Sequence, residues 1–381
     1  MTLPTLSLEP SLSPTPSPRF GKAAWTCASL TPETAWRGGL TAVAARAAGG
    51  PDDLAKVMVA GEVAGDPEAM PGALGPESHD EWLRRIREAN GPGASILFYA
   101  RDLARHDRTL FEVLLSAAGP VFAGSGLSRR EVDVELFCGQ YRATPGGIHR
   151  EYCANNHFVL AGRKFMHFWT GDDWIPDGTE RDHADGPVGE SDEEYLPSLR
   201  VEAVSAHGDA LSAGPGEVFG WANGVWHVGE TDDGPALAIN LARYMSSFDP
   251  DESAFRLEAE ADGRVAPGWL DAYRSYLAVD KGADEALAMA SAYGIPGADP
   301  GLPAVPPPAR VVSLTHAPLL WCADGEGVLV ATHGRSRRFP ADRVRWVREF
   351  AALGAGEECA VPDGAQGLAS WLVTHSALSA A

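Results

Sequence analysis

The stretch TPGGIHREYCANNHFVLAGRKFMHFW, from Thr144 to Trp169, decides the fold, together with GEVFGWANGVWH, which ends at His227. One residue separates His149 from Glu151, so on a β-strand both side chains point to the same face. His227 follows 76 residues after Glu151, behind a Gly/Pro turn and a short apolar run. Two imidazoles and one carboxylate form a facial triad that leaves positions open on Fe(II). The pattern predicts oxygen chemistry at a metal centre.

Composition narrows the class of protein. The chain has 381 residues, of which 45% are apolar, enough for two or three domains with a sizeable core. A formal net charge of -21 argues against nucleic acid as the main ligand and against anionic membranes. No apolar run approaches the roughly 20 residues that span a bilayer. The five cysteines are scattered, odd in number and not in a CxxC pair, which argues against disulfides and zinc and fits a cytoplasmic protein.

The chain divides into segments of different composition. Pro and Ser at the N-terminus predict a disordered leader without the features of a secretory signal. Residues 30–118 have mainly helical patterning, with a strand-like run SILFY at 95–99. Short runs of Val, Phe, Tyr and Trp between Gly and Pro then predict an antiparallel sandwich or barrel. The expected segments are a leader (1–20), a catalytic domain (21–250), a helical segment (251–296), a Pro-rich linker (297–310) and a small winged-helix-like α+β unit (311–381).

An acidic insertion at 170–200, broken by Gly and Pro, separates the two halves of the motif. Loops of this length are usually functional lids or disordered segments. The insertion joins strands near the predicted metal, so a substrate-covering lid is one hypothesis and solvated disorder is the other. Its carboxylates would favour a cationic or peptide substrate.

The motifs at His149, Glu151 and His227 resemble the Jumonji-C-type, cupin-fold family of Fe(II)- and 2-oxoglutarate-dependent oxygenases, over about residues 95–245. Members carry His-x-Asp or His-x-Glu on one strand and a distal His further on. The resemblance implies an α+β fold with a double-stranded β-helix (jelly-roll) core and flanking helices. It also implies that these three residues hold the catalytic Fe(II).

The resemblance extends to the 2-oxoglutarate residues of the asparaginyl-hydroxylase branch. In that branch an Asn follows the acidic ligand by four positions and a Lys by thirteen; here these are Asn155 and Lys164, the latter in a predicted hairpin AGRKF. Asn240 and Tyr99 take the places of a further Asn and an upstream Tyr. A buried dicarboxylate needs a cation and hydrogen-bond donors, which these side chains supply. For Lys164, a snorkelling surface lysine is the alternative.

Three other histidines have simpler interpretations. His157 shares the face of Asn155, where a pocket-lining role and a structural role are both open. His167 is expected to be a satisfied strand residue. His183, within TERDHADG, is expected in a solvated loop.

The C-terminal unit is richer in basic residues than the rest. Such a cluster could bind nucleic acid, but a solvated face is the more common role of a charge run. A barrel, middle helices and a small terminal unit resemble the layout of bacterial ribosomal-protein oxygenases, which are homodimers; a homodimer is therefore compatible with this chain. The cluster holds six arginines: Arg335, Arg337, Arg338, Arg343, Arg345 and Arg348.

Three functions remain open on the sequence. The first is hydroxylation of a C–H bond in a protein or peptide side chain. The second is a tailoring oxygenase that acts on a free amino acid or natural product. The third is a non-catalytic cupin-fold binding protein that works through its arginines. An intact triad with Lys164 argues against the third.

Overall fold

The computed structural model describes residues 19–144, 146–186, 189–231, 234–249, 255–297, 305–314 and 317–380. The chain forms two compact units: unit 1 comprises Met1–Leu110 with Asp133–Ser253, and unit 2 comprises Phe111–Val132 with Ala254–Ala381. Residues 1–18 of the leader predicted at 1–20 and much of the linker at 297–310 lie outside the described residues, and β1 begins at Phe20, the last residue of that predicted leader. Within the described part, no helix has the length and apolarity to cross a membrane.

Unit 1 is built mainly of β-strands. They are β1 (Phe20–Ala24), β2 (Ala55–Val59), β3 (Glu62–Val63), β4 (Ile96–Ala100), β5 (Asp133–Gln140), β6 (Ile148–Glu151), β7 (Cys153–Ala161), β8 (Lys164–Trp169), β9 (Asp182–Gly186), β10 (Gly189–Leu196), β11 (Asp209–Ala213), β12 (Glu217–Trp221), β13 (Trp226–Thr231) and β14 (Ala236–Tyr244).

Nine α-helices lie in the described residues of the whole chain. They are α1 (Pro32–Ala47), α2 (His79–Asn90), α3 (Leu103–His106), α4 (Arg108–Ser125), α5 (Val201–Val204), α6 (Pro267–Tyr276), α7 (Ala283–Ser291), α8 (Val344–Ala351) and α9 (Gln366–Thr374). The capping box predicted at Ser78 is present, with Ser78 and Glu81 bonding each other's backbone N–H at the start of α2. The stretch 30–118 is helical as predicted, but it also contains β2, β3 and β4, of which β4 corresponds to SILFY.

Two antiparallel sheets form the core of unit 1. One has the order β1-β12-β7-β14-β5-β4-β2-β3 and the other the order β11-β8-β13-β6-β10-β9. From β5 onward the chain places β5, β7, β12 and β14 in the first sheet and β6, β8, β11 and β13 in the second. Val159, Phe168 and Phe219 share one buried cluster that draws on both sheets. The prediction of helices combined with antiparallel sheets is confirmed.

The predicted hairpin at AGRKF is wrong, because β7 and β8 belong to different sheets. β7 pairs with β12 and β14, whereas β8 pairs with β11 and β13. The two residues Gly162 and Arg163 carry the chain from one sheet to the other. Gly162 has a φ of 69°, and a Cβ at this position would lie 1.9 Å from the carbonyl oxygen of Pro235. Only glycine accepts that combination of conformation and close backbone approach.

We therefore expect Gly162→Ala to lower the free energy of unfolding by more than the roughly 1 kcal/mol that a left-handed alanine costs, because the backbone at Pro235 must also move. Urea denaturation measures the change. Gly61→Ala is the matched control, since Gly61 has a φ of 88° but no atom within 4 Å of the added Cβ. Equal losses in the two variants would contradict the packing argument.

The acidic insertion at 170–200 extends the second sheet. β10 pairs with β6 and with β9. The solvated-disorder hypothesis is therefore wrong for the described part, whereas the substrate-covering lid stays a hypothesis; His183 lies exposed on β9 rather than in a loop. The carboxylate of Glu194 is 2% exposed and binds Arg150 and Arg181. This carboxylate therefore pairs with arginines of the fold. The sequence analysis had instead assigned the carboxylates of the insertion to a cationic or peptide substrate.

Unit 2 combines short strands with helices α6 to α9. The strands form two three-stranded antiparallel sheets, β19-β15-β20 and β16-β17-β18. The two strands predicted around the Asp-Gly turn correspond to β16 and β17. The strands of unit 2 are β15 (Arg310–Ser313), β16 (Leu320–Asp324), β17 (Gly327–Thr332), β18 (Arg335–Phe339), β19 (Glu358–Ala360) and β20 (Leu378–Ala380).

Candidate metal centre

Neighbouring strands of the second sheet bring together His149, Glu151 and His227. The first two lie on β6 and the third on β13, where His227 pairs in register with His149. One ligand atom from each residue lies within 4.8 Å of the others. Nε2 of His149 is 3.2 Å from Oε1 of Glu151. The spacing on the strand and the register between strands thus place two nitrogens and one oxygen around a common point.

Backbone carbonyls orient both imidazole rings. Nδ1 of His149 lies 2.9 Å from the carbonyl oxygen of Gly147, and Nδ1 of His227 lies 2.9 Å from that of Val225. A carbonyl only accepts hydrogen bonds, so Nδ1 carries a hydrogen in each ring, and Nε2 offers a lone pair to a metal when the ring is neutral. This is the arrangement in which histidine ligands bind metals.

The three side chains also perturb one another's pKa. Burial raises the pKa of Glu151, but the hydrogen bond from His149 and the charges of both histidines outweigh it and lower the pKa to about 2. Burial, then the charge of His149, lowers the pKa of His227 to about 3. For His149, burial is outweighed by Glu151, so its pKa is raised. The carboxylate is therefore ionised and His227 neutral at neutral pH, which are the forms that bind a cation.

Cys153 holds the second oxygen of Glu151. Its thiol donates to Oε2 at 2.5 Å, and burial raises the pKa of Cys153 well above its ordinary value, so the thiol keeps its hydrogen. Asn155 donates to the backbone oxygen of Cys153 at 3.3 Å and contacts its sulfur at 3.4 Å. Sequence reasoning gave Cys153 no role, because a single cysteine next to a ligand carries no recognisable spacing.

Lys164 lines the same cavity as the three ligands and is 1% exposed. Its ammonium lies 4.5 Å from the ring centre of Phe137 and 5.5 Å from that of Tyr141. No described carboxylate forms an ion pair with it. Burial lowers the pKa of Lys164 to about 7, against the field of Glu135. The snorkelling surface lysine is wrong, because this side chain is buried; a buried ammonium without a carboxylate partner is a site for an anion.

Three of the predicted 2-oxoglutarate residues share a hydrogen-bond network. Asn240 Nδ2 donates to Oε2 of Glu135 and to Oδ1 of Asn155, both at 2.7 Å. The hydroxyl of Tyr99 donates to Oε1 of Glu135. Sequence reasoning missed Glu135. The available signal was VDVELF, in which acidic residues alternate with apolar ones on a strand and therefore share a face.

One cavity of about 340 Å³ is lined by all seven residues singled out from the sequence: Tyr99, His149, Glu151, Asn155, Lys164, His227 and Asn240. Asn155 lines it although β6 and β7 lie in different sheets, so the regular strand assumed from the sequence is not what places it there. The chain bends at Tyr152 and both strands still face the interior.

The remaining histidines are placed as follows. His157 lines the cavity, and its Nε2 and the Oδ1 of Asn240 are buried without a hydrogen-bond partner among the described residues. His167 hydrogen-bonds to Glu230 at 2.9 Å, which makes it a satisfied strand residue as predicted. His157 thus belongs to the polar lining of the cavity.

No family model matches the chain, and no curated protein matches it. Among solved structures, YcfD from Escherichia coli is 13% identical with a TM-score of 0.44, and the alignment covers 94% of this chain and 93% of that one. The ribosomal oxygenase YcfD from Escherichia coli in complex with cobalt and 2-oxoglutarate is 12% identical with a TM-score of 0.44, covering 94% of each chain. The non-heme α-ketoglutarate-dependent carbocyclase SnoK from nogalamycin biosynthesis is 12% identical with a TM-score of 0.28, covering 43% of this chain and 74% of that one. The two YcfD alignments cover most of this chain, and the SnoK alignment covers less than half of it.

Proposed function

We propose that this protein is an Fe(II)- and 2-oxoglutarate-dependent oxygenase that hydroxylates a C–H bond. One observation carries the proposal: a metal-ligand triad and a buried ammonium without a carboxylate partner line the same cavity. The first supports a metal and the second supports an anionic organic cosubstrate.

The residues fit both groups. Two imidazole nitrogens and one carboxylate oxygen are the donor set of non-heme Fe(II) oxygenases. For the cosubstrate, Lys164 supplies the cation. Nε2 of His157 and Oδ1 of Asn240, buried without partners, supply polar atoms on the cavity wall. Such atoms are costly unless a ligand or water satisfies them.

When bound, the metal and its cosubstrate supply the oxidation of the C–H bond. The chain itself supplies positioning. His149, Glu151 and His227 hold the metal on one face, and the carbonyls of Gly147 and Val225 fix the imidazoles. Lys164 binds the distal carboxylate, and the buried walls of both sheets exclude water.

The strand order supports a finer description of the fold. Strands β5-β14-β7-β12 in one sheet and β6-β13-β8-β11 in the other give an eight-stranded jelly roll, and we include a double-stranded β-helix core in the proposal. A winged-helix-like unit at 311–381 is also included, supported by its small sheets and two helices.

For the substrate, we include a protein or peptide side chain, the class that the sequence resemblance implies. A free amino acid or natural product is the alternative. Mass spectrometry of candidate peptides compared with small-molecule extracts separates the two. The oxidised product gains one oxygen atom in either case, and the sample in which that gain appears identifies the substrate class.

The binding-protein alternative loses support from unit 2. Four of its six clustered arginines form ion pairs with carboxylates of the same unit, which offset part of the positive charge of the cluster. The pairs are Arg338 with Asp324, Arg343 with Asp342, Arg345 with Glu349 and Arg348 with Asp262.

An anaerobic titration with Fe(II) and then 2-oxoglutarate tests the proposal. We expect one Fe(II) per chain, followed by a visible metal-to-ligand charge-transfer band when 2-oxoglutarate is added. His149→Ala should lose both signals, because two ligands do not hold the metal as three do. His183→Ala is the matched control and should behave as wild type, since His183 is exposed on β9.

The titration has two contrary outcomes. Iron binding without the band would indicate a cupin-type protein that does not use 2-oxoglutarate. Absence of metal binding in wild type would overturn the enzyme proposal.

A further inference from the structure

Glu135 occupies the hydrogen-bond donors that the sequence analysis assigned to the cosubstrate. One carboxylate oxygen accepts from Tyr99, and the other accepts from Asn240 at 2.7 Å. The carboxylate lines the same cavity as Lys164 but forms no ion pair with it. A second anionic group is thus built into the subsite expected to bind a carboxylate.

The groups around Glu135 do not neutralise it. On its own strand Asp133 adds negative charge, but Asp133 forms an ion pair with Arg101 of the neighbouring segment at 2.7 Å. Lys164 faces it from β8 and Tyr99 from β4. The other titratable groups that act on it are Glu151, Cys153 and Tyr244. Burial, then the charge of Asp133, raises the pKa of Glu135 to about 8.

Charge counting indicates what a dicarboxylate requires. A divalent metal with Glu151 has one net positive charge, and Lys164 has a second when it is protonated. Together they match the two negative charges of 2-oxoglutarate. Ionised Glu135 would leave one excess negative charge in a buried site, where two carboxylates near one cation do not both remain ionised.

A neutral Glu135 changes the role of Tyr99. A protonated carboxyl is a hydrogen-bond donor, and a phenolic oxygen both donates and accepts. The bond between Glu135 and Tyr99 can therefore reverse, with Glu135 donating and Tyr99 Oη accepting. The Tyr99 hydroxyl hydrogen is then free to turn into the cavity.

Resting on the proposed function, we propose that the cavity binds a dicarboxylate together with one proton from solvent, which settles on Glu135 and turns the Tyr99 hydroxyl toward the ligand. Glu135 is thereby a specificity-determining residue, because it makes the cosubstrate subsite respond to proton availability. Its raised pKa agrees with this, since Glu135 already holds the proton most of the time at neutral pH and must take one up on binding only at higher pH.

Infrared difference spectroscopy of 2-oxoglutarate binding tests the proposal directly. Protein loaded with Mn(II) under anaerobic conditions is mixed with ¹³C-labelled 2-oxoglutarate at pH 9, where Glu135 is mostly ionised before binding. We expect the carbonyl stretch of a protonated carboxylic acid to appear on binding in wild type. It should be absent in Glu135→Gln. Glu193→Gln is the matched control and should keep the band, since Glu193 also lines the cavity.

Tyr99→Phe gives a second test that leaves Glu135 in place. We expect its affinity for 2-oxoglutarate at pH 7 to fall about tenfold, the size of one hydrogen bond to a charged group. In Glu135→Gln the amide donates to Tyr99 as a protonated carboxyl would, so this variant should bind 2-oxoglutarate at pH 9 at least as tightly as wild type.

The possible results separate the two proposals. Binding of 2-oxoglutarate without the carboxylic acid band, or with the same band in Glu135→Gln, overturns the role of Glu135 alone. Unchanged affinity of Tyr99→Phe for 2-oxoglutarate contradicts the proposed rotation of the Tyr99 hydroxyl toward the ligand. Failure of metal-loaded wild type to bind 2-oxoglutarate at any pH overturns the proposed function and this inference with it.

Discussion

Lys164→Met should weaken 2-oxoglutarate binding at least about a hundredfold, because the cosubstrate's distal carboxylate would lose the buried cation that we propose as its partner. The same change should raise the free energy of unfolding by about 1–4 kcal/mol, since an ammonium without a carboxylate partner is replaced by an apolar chain of similar length. Calorimetry measures the affinity for 2-oxoglutarate, and urea denaturation measures the free energy of unfolding. Metal affinity should stay as in wild type, as Lys164 is not a ligand.

The difference in stability between wild type and Lys164→Met should depend on pH. The pKa of Lys164 is lowered to about 7 in the folded protein, so above that pH the unfolded chain binds more protons. Wild type therefore gains stability relative to Lys164→Met as the pH rises from 7 toward the ordinary pKa of lysine. Lys56→Met is the matched control, because Lys56 lines the same cavity and is less buried. A larger loss of 2-oxoglutarate binding in Lys56→Met than in Lys164→Met would show that Lys164 is not the main anion-binding residue.

Arg150→Met should destabilise unit 1 by about 3 kcal/mol or more, because it leaves the buried carboxylate of Glu194 with only part of its charge compensation. Arg150 lies between the two ligands of β6 in sequence. It binds Glu194 and Asp172, and its guanidinium lies 4.6 Å from the ring centres of both Trp226 and Phe248. Metal affinity should fall as well, since the same strand presents His149 and Glu151.

Urea denaturation of the full chain, followed by tryptophan fluorescence, measures this loss. Arg200→Met is the control, because Arg200 is exposed and makes none of these contacts. Adding Glu194→Gln to Arg150→Met should recover part of the stability, since the unpaired charge is then removed. A double variant as unstable as the sum of the two single ones would show that the pair acts through packing and not through charge.

Local spacing accounts for the part of the site that was predictable. His149 and Glu151 share a strand face because the side-chain period of a strand is two, and His227 was recognised with them as a triad. Lys164 and the residues named with it came from a family resemblance. The structure brings all seven residues to one cavity.

Long-range pairing accounts for most of what sequence reasoning missed. The hairpin at Gly162 was predicted because two apolar runs flank a short Gly-containing link, which is the local sequence pattern typical of a β-hairpin. Whether two such strands pair or part depends on neighbours such as β14, which lies more than seventy residues further along the chain. Glu135 was missed for the same reason: a carboxylate in a strand becomes informative only when its facing residues are known.

The insertion at 170–200 shows how composition can mislead. Its acidic residues predicted a solvated segment, and its position predicted a lid. The pairs of the buried Glu194 with Arg150 and Arg181 contradict the solvated segment, because a buried carboxylate that contacts two guanidinium groups has a structural role; the lid stays a hypothesis. Its partner Arg150 lies between His149 and Glu151 in the metal motif, and the sequence did not mark it as a partner of Glu194.

The alternation of strands between two sheets has a consequence for how the chain folds. The second sheet is complete only when β13 has been synthesised and the first only when β14 has, so most pairings join residues far apart in sequence and folding is expected to be slow. A nascent chain that has β6 but not β13 carries only two of the three metal ligands, which lie 78 residues apart from His149 to His227. A metal that needs all three ligands can therefore bind only after β6 and β13 have both been made, and when bound it would stabilise the folded structure.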